Sequence, residues 1–137
     1  MVVALFWNPR GLNRPDKFIR VHDLIREICP DIICFSKTKK VDFTTMQLQQ
    51  LDPHDKFCWR WLSANDTAGG IIVGISVDLF DVISWDIHLF SVSALLKCKK
   101  DGTIWKLISV YGSAYEEHKL EFINELHNVY ANWGAQL

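Results

Sequence analysis

Three lysines that follow an apolar run carry the charges best placed to contact phosphate. Lys37, Lys39 and Lys40 come directly after residues 31–35, which read as a buried strand ending in a polar turn. An ammonium group can hold a phosphate oxygen as a compact point charge. A short charge run is more often a solvated loop, so the sequence leaves both interpretations open.

Other candidate side chains lie at predicted strand ends. Asn8 ends the first apolar run, where it would close a turn before Pro9, and Tyr111 ends the last apolar run, where its ring would pack at the strand end. We interpret His22 as a helix-surface residue and His88 as a strand residue. No H-E-x-x-H, P-loop or G-x-S-x-G motif indicates another class of enzyme.

The elements that would position these residues begin with a strand, a helix and a strand. Residues 2–7 form an apolar run, helical spacing follows from Asp16 until Pro30 ends it, and residues 32–35 form a second apolar run. This strand, helix and strand together predict a right-handed parallel crossover, so both strands should end at the same edge of one sheet.

The middle of the chain predicts a meander of strands. A short helix is expected near Met46, and Lys99-Lys100-Asp101-Gly102 is expected to form a hairpin turn, with Asp-Gly in the favoured two-residue position. Short β-branched and aromatic runs bounded by turn residues indicate strands at 57–62, 71–77, 80–85, 88–97 and 103–111.

A second amphipathic helix is predicted after Tyr111. Ser113 and Glu116 form a capping box, and Gly134 is a natural stop. One face of this helix is apolar and contains Phe122, Ile123, Leu126, Val129, Tyr130 and Trp133. No linker or repeat divides the chain, so residues 1–137 are expected to form one domain.

Composition indicates a soluble intracellular protein, cytoplasmic or nuclear. Hydrophobic residues make up 49% of the chain and the net charge is -1, which gives no global attraction to nucleic acid or membrane. The 4 cysteines include no C-x-x-C pair and are expected to be reduced. Pro9, Gly11 and Pro15 interrupt the basic N-terminal stretch, which disfavours an organelle transit helix.

The ordered set of motifs resembles the exonuclease-endonuclease-phosphatase family, and within it the endonuclease domain of plant LINE-type retrotransposons. The similar segments are residues 5–12 (Leu-Phe-Trp-Asn-Pro-Arg-Gly-Leu), 68–74 (Ala-Gly-Gly-Ile-Ile-Val-Gly) and 111–117 (Tyr-Gly-Ser-Ala-Tyr-Glu-Glu). The resemblance covers the whole chain but only the first half or so of the family's domain. It implies a truncated α/β sandwich with a mixed sheet meander and flanking helices.

The resemblance also implies site roles. Family members cut phosphate esters with a divalent metal, usually Mg, held by a carboxylate. Lys37 stands where the family has that glutamate, Asn8 matches its asparagine near the metal, and Tyr111 matches its active-site tyrosine. An ammonium has no lone pair for a metal and repels a divalent cation. The family's Gly-Asp-Phe-Asn and Ser-Asp-His motifs have no counterpart in the chain.

These features predict a domain that is not an enzyme, holds no cofactor, and retains only vestigial site residues. If the second half of the sandwich is missing, several hundred Å² of apolar surface would be a driving force on the order of 10 kcal/mol for binding a partner. We expect another protein, or a second copy, to bind through the exposed sheet and the last helix. The alternative is a residual nucleic-acid-binding or weak Mg-dependent endonuclease module that uses Lys37, Lys39 and Lys40.

Overall fold

The computed structural model describes residues 2–64, 69–110 and 125. Their elements form a mixed α/β fold with two sheets and two helices. In chain order they are β1 (Ala4–Trp7), α1 (Pro15–Ile28), β2 (Ile32–Ser36), α2 (Thr45–Leu51), β3 (Phe57–Leu62), β4 (Ile71–Ser76), β5 (Phe80–Ile87), β6 (Ser91–Cys98) and β7 (Ile104–Val110). Glu125 is helical, and the rest of the predicted last helix lies outside the described residues.

Helix α1 has clear start and stop signals. Pro15 occupies the first turn, where its missing N–H costs no hydrogen bond, and Cys29 ends the helix in a left-handed conformation with its N–H bonded to the carbonyl of Ile25. Phe18, Val21 and Ile25 form the buried stripe that packs the helix against the sheet. The helix predicted from this periodicity is confirmed.

The first sheet has the order β1-β2-β4-β3. Strand β1 runs parallel to β2, as the crossover prediction required, whereas β4 is antiparallel to both β2 and β3. The parallel pair carries the ends of β1 and β2 to the same edge of the sheet. The turns that hold Asn8 and Lys37 therefore lie side by side.

The second sheet has the order β5-β6-β7 and is antiparallel throughout. A bulge between Val82 and Ser84 shifts the register of β5 against β6. The carboxylate of Glu125 accepts hydrogen bonds from the backbone N–H of Phe90 at 3.0 Å and from the hydroxyl of Ser91 at 2.7 Å. This contact places residue 125 against the turn between β5 and β6.

Two apolar cores follow from the alternation of side chains along β2 and β4. Ile33 and Phe35 face the helices and pack with Val21 and Leu51 in the first core. The other faces of β2 and β4 pack against the second sheet, where the core contains Ile32, Cys34, Ile71, Val73, Ile75, Phe80, Val92, Ala94, Leu96 and Cys98. The protein is thus layered as helices, first sheet and second sheet.

The start of one predicted strand was wrong. The predicted strand at 88–97 begins later, at Ser91, so His88 lies in a turn. The hairpin turn predicted at 99–102 is confirmed, but it is a four-residue turn and not a two-residue Asp-Gly turn, because the N–H of Cys98 bonds the carbonyl of Thr103 at 2.8 Å. All four cysteines are free, as predicted. No helix in the described part of the chain is long and apolar enough to cross a membrane.

Candidate functional site

Three turns are tied together where β2 ends. The N–H of Gly11 donates to the carbonyl of Lys37 at 2.9 Å, which joins the turn after β1 to the turn after β2. On the other side, the N–H of Lys39 donates to the carbonyl of Gly69 at 2.9 Å, just before β4. The three sequence motifs at residues 8–12, 36–40 and 69–70 therefore converge on one edge of the first sheet.

Thr38 fixes the centre of this cluster. It is fully buried, and its N–H bonds the carbonyl of Gly70 at 3.2 Å. Gly70 has a φ of +91°, and a Cβ at this position would collide with the Thr38 hydroxyl. A glycine is required here both by backbone conformation and by close approach.

The exposed charges of the site are cationic. Lys37, Lys39 and Arg10 are exposed, and all three have left-handed backbone conformations, with φ of 54°, 57° and 55°. The hydrogen bond from Gly11 to Lys37 keeps Arg10 on the turn next to Lys37. The sequence interpretation did not include Arg10, although its position on the same strand-end turn as Asn8 could have indicated it.

Lys40 differs from the other two lysines because it is buried, with 9% of its surface exposed. Its Nζ lies 5.7 Å from the ring centre of Phe18 and 5.4 Å from that of Phe43. At these distances an ammonium is attracted to the faces of aromatic rings. Its contacts are those of a packed side chain, and its predicted role in phosphate binding stays a prediction.

Asn8 closes a local turn. Its Oδ1 accepts a hydrogen bond from the N–H of Arg10 at 3.0 Å, which is the geometry of an Asx turn. This contact supports the turn-closing interpretation of Asn8, and the predicted role near a phosphate has no contact of its own. Tyr111 lies outside the described residues.

The donor set at this edge does not fit a magnesium ion. Mg²⁺ prefers carboxylate oxygens and near-octahedral geometry, whereas Lys37 presents an ammonium and the Asn8 Oδ1 already accepts an N–H. Within the described ranges, no three His, Cys, Asp or Glu side chains come together in a way that could hold a metal ion. The described residues supply no oxygen cage for the metal that the resemblance implies.

A cavity of about 540 Å³ lies at the opposite end of the first sheet. Its lining includes Pro30 at the start of β2 and Ser76 at the end of β4, together with His22, Arg26 and Lys56. It is remote from Lys37, and no sequence motif predicted it. Its apolar walls come from the ends of both helices.

Asp52 supplies a carboxylate to this cavity, but its oxygens serve the fold. Oδ1 accepts from the N–H of Lys56 at 2.9 Å, and Oδ2 accepts from the N–H of Phe57 at 2.9 Å and from the indole N–H of Trp59 at 3.2 Å. These bonds join the end of α2 to the start of β3. Asp52 is therefore explained by structural hydrogen bonds.

Comparisons with known proteins support the fold. No protein-family model matches the chain. No curated protein matches it in sequence. Among solved structures, the catalytic domain of human Nocturnin, with bound sulfate, is similar with a TM-score of 0.70 at 14% identity over 93% of this chain and 58% of that chain.

Two further structures agree. An endonuclease/exonuclease/phosphatase family protein from Bacteroides thetaiotaomicron is similar with a TM-score of 0.66, at 10% identity over 96% of this chain and 59% of that one. The AP endonuclease LMAP from Leishmania major is similar with a TM-score of 0.62, at 13% identity over 88% of this chain and 44% of that chain. The chain therefore has the α/β fold of exonuclease-endonuclease-phosphatase proteins and spans about half the length of these structures.

Proposed function

We propose that this chain is a non-catalytic endonuclease-like domain, derived from a LINE-type retrotransposon, that acts by binding protein. The observation that carries the proposal is Lys37. The motif resemblance aligns this residue with the family's metal-binding glutamate, and its ammonium is exposed at the end of β2. A cation at that position repels a divalent metal instead of binding it.

The ordered motifs at residues 5–12 and 68–74 support a retrotransposon origin. The solved structures support only the fold, since their identities to this chain are below 25%. Exposed apolar side chains on the strands support the binding role. Phe6 on β1 is 63% exposed and Trp105 on β7 is 39% exposed.

A plasmid-nicking assay in Mg tests the inactivity. We expect no nicking above background by the unaltered chain, and none by Lys37→Glu, because a single carboxylate does not complete a metal site. Lys97→Glu is the matched control, since Lys97 is also exposed but lies on β6. Chelator-sensitive nicking by the unaltered chain would overturn the proposal.

A second candidate function is favoured by the three exposed cations. Arg10, Lys37 and Lys39 lie on neighbouring turns and could contact the phosphates of a single strand. Three such contacts would give a slope of about -2 to -3 in a plot of log affinity against log salt. The measurement uses a fluorescent single-stranded oligonucleotide, and a salt-independent affinity removes this candidate.

A further inference from the structure

Strands β1 and β7 lie on the same side of the two-sheet stack. β7 packs under β2 and β4, and the side chains of Cys34 on β2 and Ser109 on β7 are hydrogen-bonded. On the opposite side, the guanidinium of Arg60 on β3 lies 5.7 Å from the ring centre of Trp85 on β5. Because β7 lies under β2, β1 extends beyond the edge of the second sheet.

The face of β1 that is turned toward the second sheet is covered only in part by the described residues. Val2 packs into the core between the sheets, while Leu5 packs into the core on the helix side. Side chains alternate along a strand, so Phe6 shares the face of Val2 and points toward the level of the second sheet. Phe6 is 63% exposed and Trp105, on β7, is 39% exposed. A further strand beside β7 would cover both.

The outer backbone groups of β7 can be identified. The N–H of Cys98 bonds the carbonyl of Thr103, and hydrogen-bonded pairs alternate along an antiparallel ladder. Trp105, Leu107 and Ser109 therefore direct their backbone groups to β6. The N–H and C=O groups directed to the outer edge belong to Ile104, Lys106, Ile108 and Val110. Among the described strands, none pairs with that edge.

We propose that β7 pairs antiparallel with β7 of a second copy of this chain, in a register centred on Leu107. The interaction rests on the proposed function, which it deepens by naming the surface and the partner. In this register Lys106 lies opposite Ile108 of the second copy, and Ile104 lies opposite Val110. Each of these pairs has its backbone groups facing the other strand, so the paired edge is fully hydrogen-bonded.

Charge and size select this register. Lys106 is the one charged residue of β7, and a shift that paired it with its own copy would oppose two like charges. In the Leu107-centred register it faces an apolar side chain instead. On the face toward the first sheet, the large ring of Trp105 lies opposite the small side chain of Ser109. The strand is therefore complementary to itself.

The joined sheet also explains the exposed aromatic residue on β1. Pairing of the two β7 strands produces a continuous six-stranded sheet, which extends beneath β1 of each copy. The inward side chains of the second copy's β7 then lie on the side that Phe6 faces. A C2 arrangement makes the same contact twice, so each stabilising or destabilising change acts twice.

Sedimentation equilibrium of the full chain across a concentration series tests the proposal. We expect a monomer–dimer equilibrium, weakened at least about tenfold by Ile108→Lys, because each new lysine faces Lys106 of the other copy at two symmetric positions. The double variant Lys106→Glu with Ile108→Lys places opposite charges at the same positions. We expect it to restore the dimer to within a few-fold of the unaltered chain.

The matched control is Ile83→Lys, on the opposite edge strand β5, where Ile83 is 52% exposed. It should leave the dimer unchanged. Circular dichroism of each variant establishes that it is folded, and recovery in the double variant separates charge repulsion from loss of folding. A chain that stays monomeric at every concentration would overturn the proposal, as would a dimer that responds to Ile83→Lys and not to Ile108→Lys.

The two proposals fail in different ways. Magnesium-dependent nicking would remove the non-catalytic function, whatever the mass of the particle. A monomer that does not nick DNA and binds a different protein through β7 would overturn the second-copy inference and leave the proposed function standing. In that case Ile108→Lys and Ile83→Lys are each tested as competitors of the unaltered chain for the partner. A loss of competition with Ile108→Lys alone identifies β7 as the surface involved.

Discussion

The backbone N–H of Gly11 donates a 2.9 Å hydrogen bond to the backbone carbonyl of Lys37. This bond joins the turns that follow two neighbouring parallel strands, so the backbone position of Lys37 is determined by the sheet and not by a free loop. The turn is closed on its other side by Lys39 and Gly69. The backbone that carries the Lys37 side chain is therefore a fixed feature of the fold.

Gly70 should be the least replaceable residue of this cluster. Gly70→Ala places a Cβ against the Thr38 hydroxyl and forces alanine into a φ of +91°. We expect a loss of at least about 2 kcal/mol in the free energy of unfolding, from backbone strain and from displacement of a fully buried side chain. Urea denaturation followed by tryptophan fluorescence measures it.

The control for that variant is Gly102→Ala. Gly102 also has a positive φ, of +73°, but the nearest atom to an added Cβ is the Cε of Lys97 at 3.8 Å. Only the strain of placing alanine at a positive φ applies, so we expect a loss of about 1 kcal/mol in the free energy of unfolding. Equal losses at the two glycines would show that the contact with Thr38 contributes nothing.

Lys40 should affect stability and leave nucleic-acid affinity unchanged. Lys40→Ala removes a side-chain stem and an ammonium that lie between Phe18 and Phe43, and we expect a loss of about 1–2 kcal/mol in the free energy of unfolding. Lys39→Ala, at an exposed position, should change it by less than about 0.5 kcal/mol. A change in the salt slope of oligonucleotide binding with Lys40→Ala alone would contradict the packed role.

The order of the first elements could be predicted because each element has its own spacing of apolar residues. Val21 and Ile25 recur at helical spacing, whereas residues 32–35 form a continuous apolar run, as a strand buried on both faces does. His88 was misplaced because local composition does not mark where a ladder begins. The pairing partner decides that: Val92 aligns with Ile87 across the turn.

The site was less predictable than the fold. Lys37, Lys39 and Lys40 are indistinguishable as a charge run, yet only Lys40 is buried, because Phe18 of α1 and the nearby Phe43 both pack against it. The parallel crossover predicted that the turns after β1 and β2 lie together, but the approach of residues 69–70 depends on the antiparallel pairing of β4 with β2, which was not predicted. The hydrogen bonds between those turns, and the open side of β7, depend on tertiary packing that no local pattern contains.

The thiols should differ sharply in reactivity. Burial raises the pKa of the Cys34 thiol from 9.0 to about 12, and a hydrogen bond with Ser109 only partly offsets this. Cys29 is exposed at the end of α1. At pH 8.5 we expect iodoacetamide to modify Cys29 in the folded chain and to leave Cys34 unmodified, because the thiolate is the reactive form. Peptide mass spectrometry identifies the modified residues.

The same shift sets a direction for stability in alkali. The folded pKa of Cys34 lies above its unfolded value, so the contribution of the neutral buried thiol is fully present below pH 9 and is lost as the pH rises toward 12. The variant Cys34→Val has no thiol to ionise at this position, so its free energy of unfolding does not show this loss. The difference in free energy of unfolding between the unaltered chain and Cys34→Val should therefore change between pH 8 and pH 10.5 in favour of the variant, and a constant difference would contradict the burial.

Glu125 should hold its segment against the second sheet through Ser91. Its carboxylate accepts from the Ser91 hydroxyl at 2.7 Å and from the Phe90 N–H at 3.0 Å, and Ser91 is fully buried. Glu125→Ala leaves the buried Ser91 hydroxyl without this acceptor, and we expect a loss of about 2 kcal/mol in the free energy of unfolding. In the Glu125→Ala background, Ser91→Ala should remove about half of that penalty, since the Phe90 N–H also loses this acceptor. A double-mutant cycle measured by urea denaturation should give a coupling energy of about 1 kcal/mol, whereas additive effects would show that the contact does not anchor residue 125.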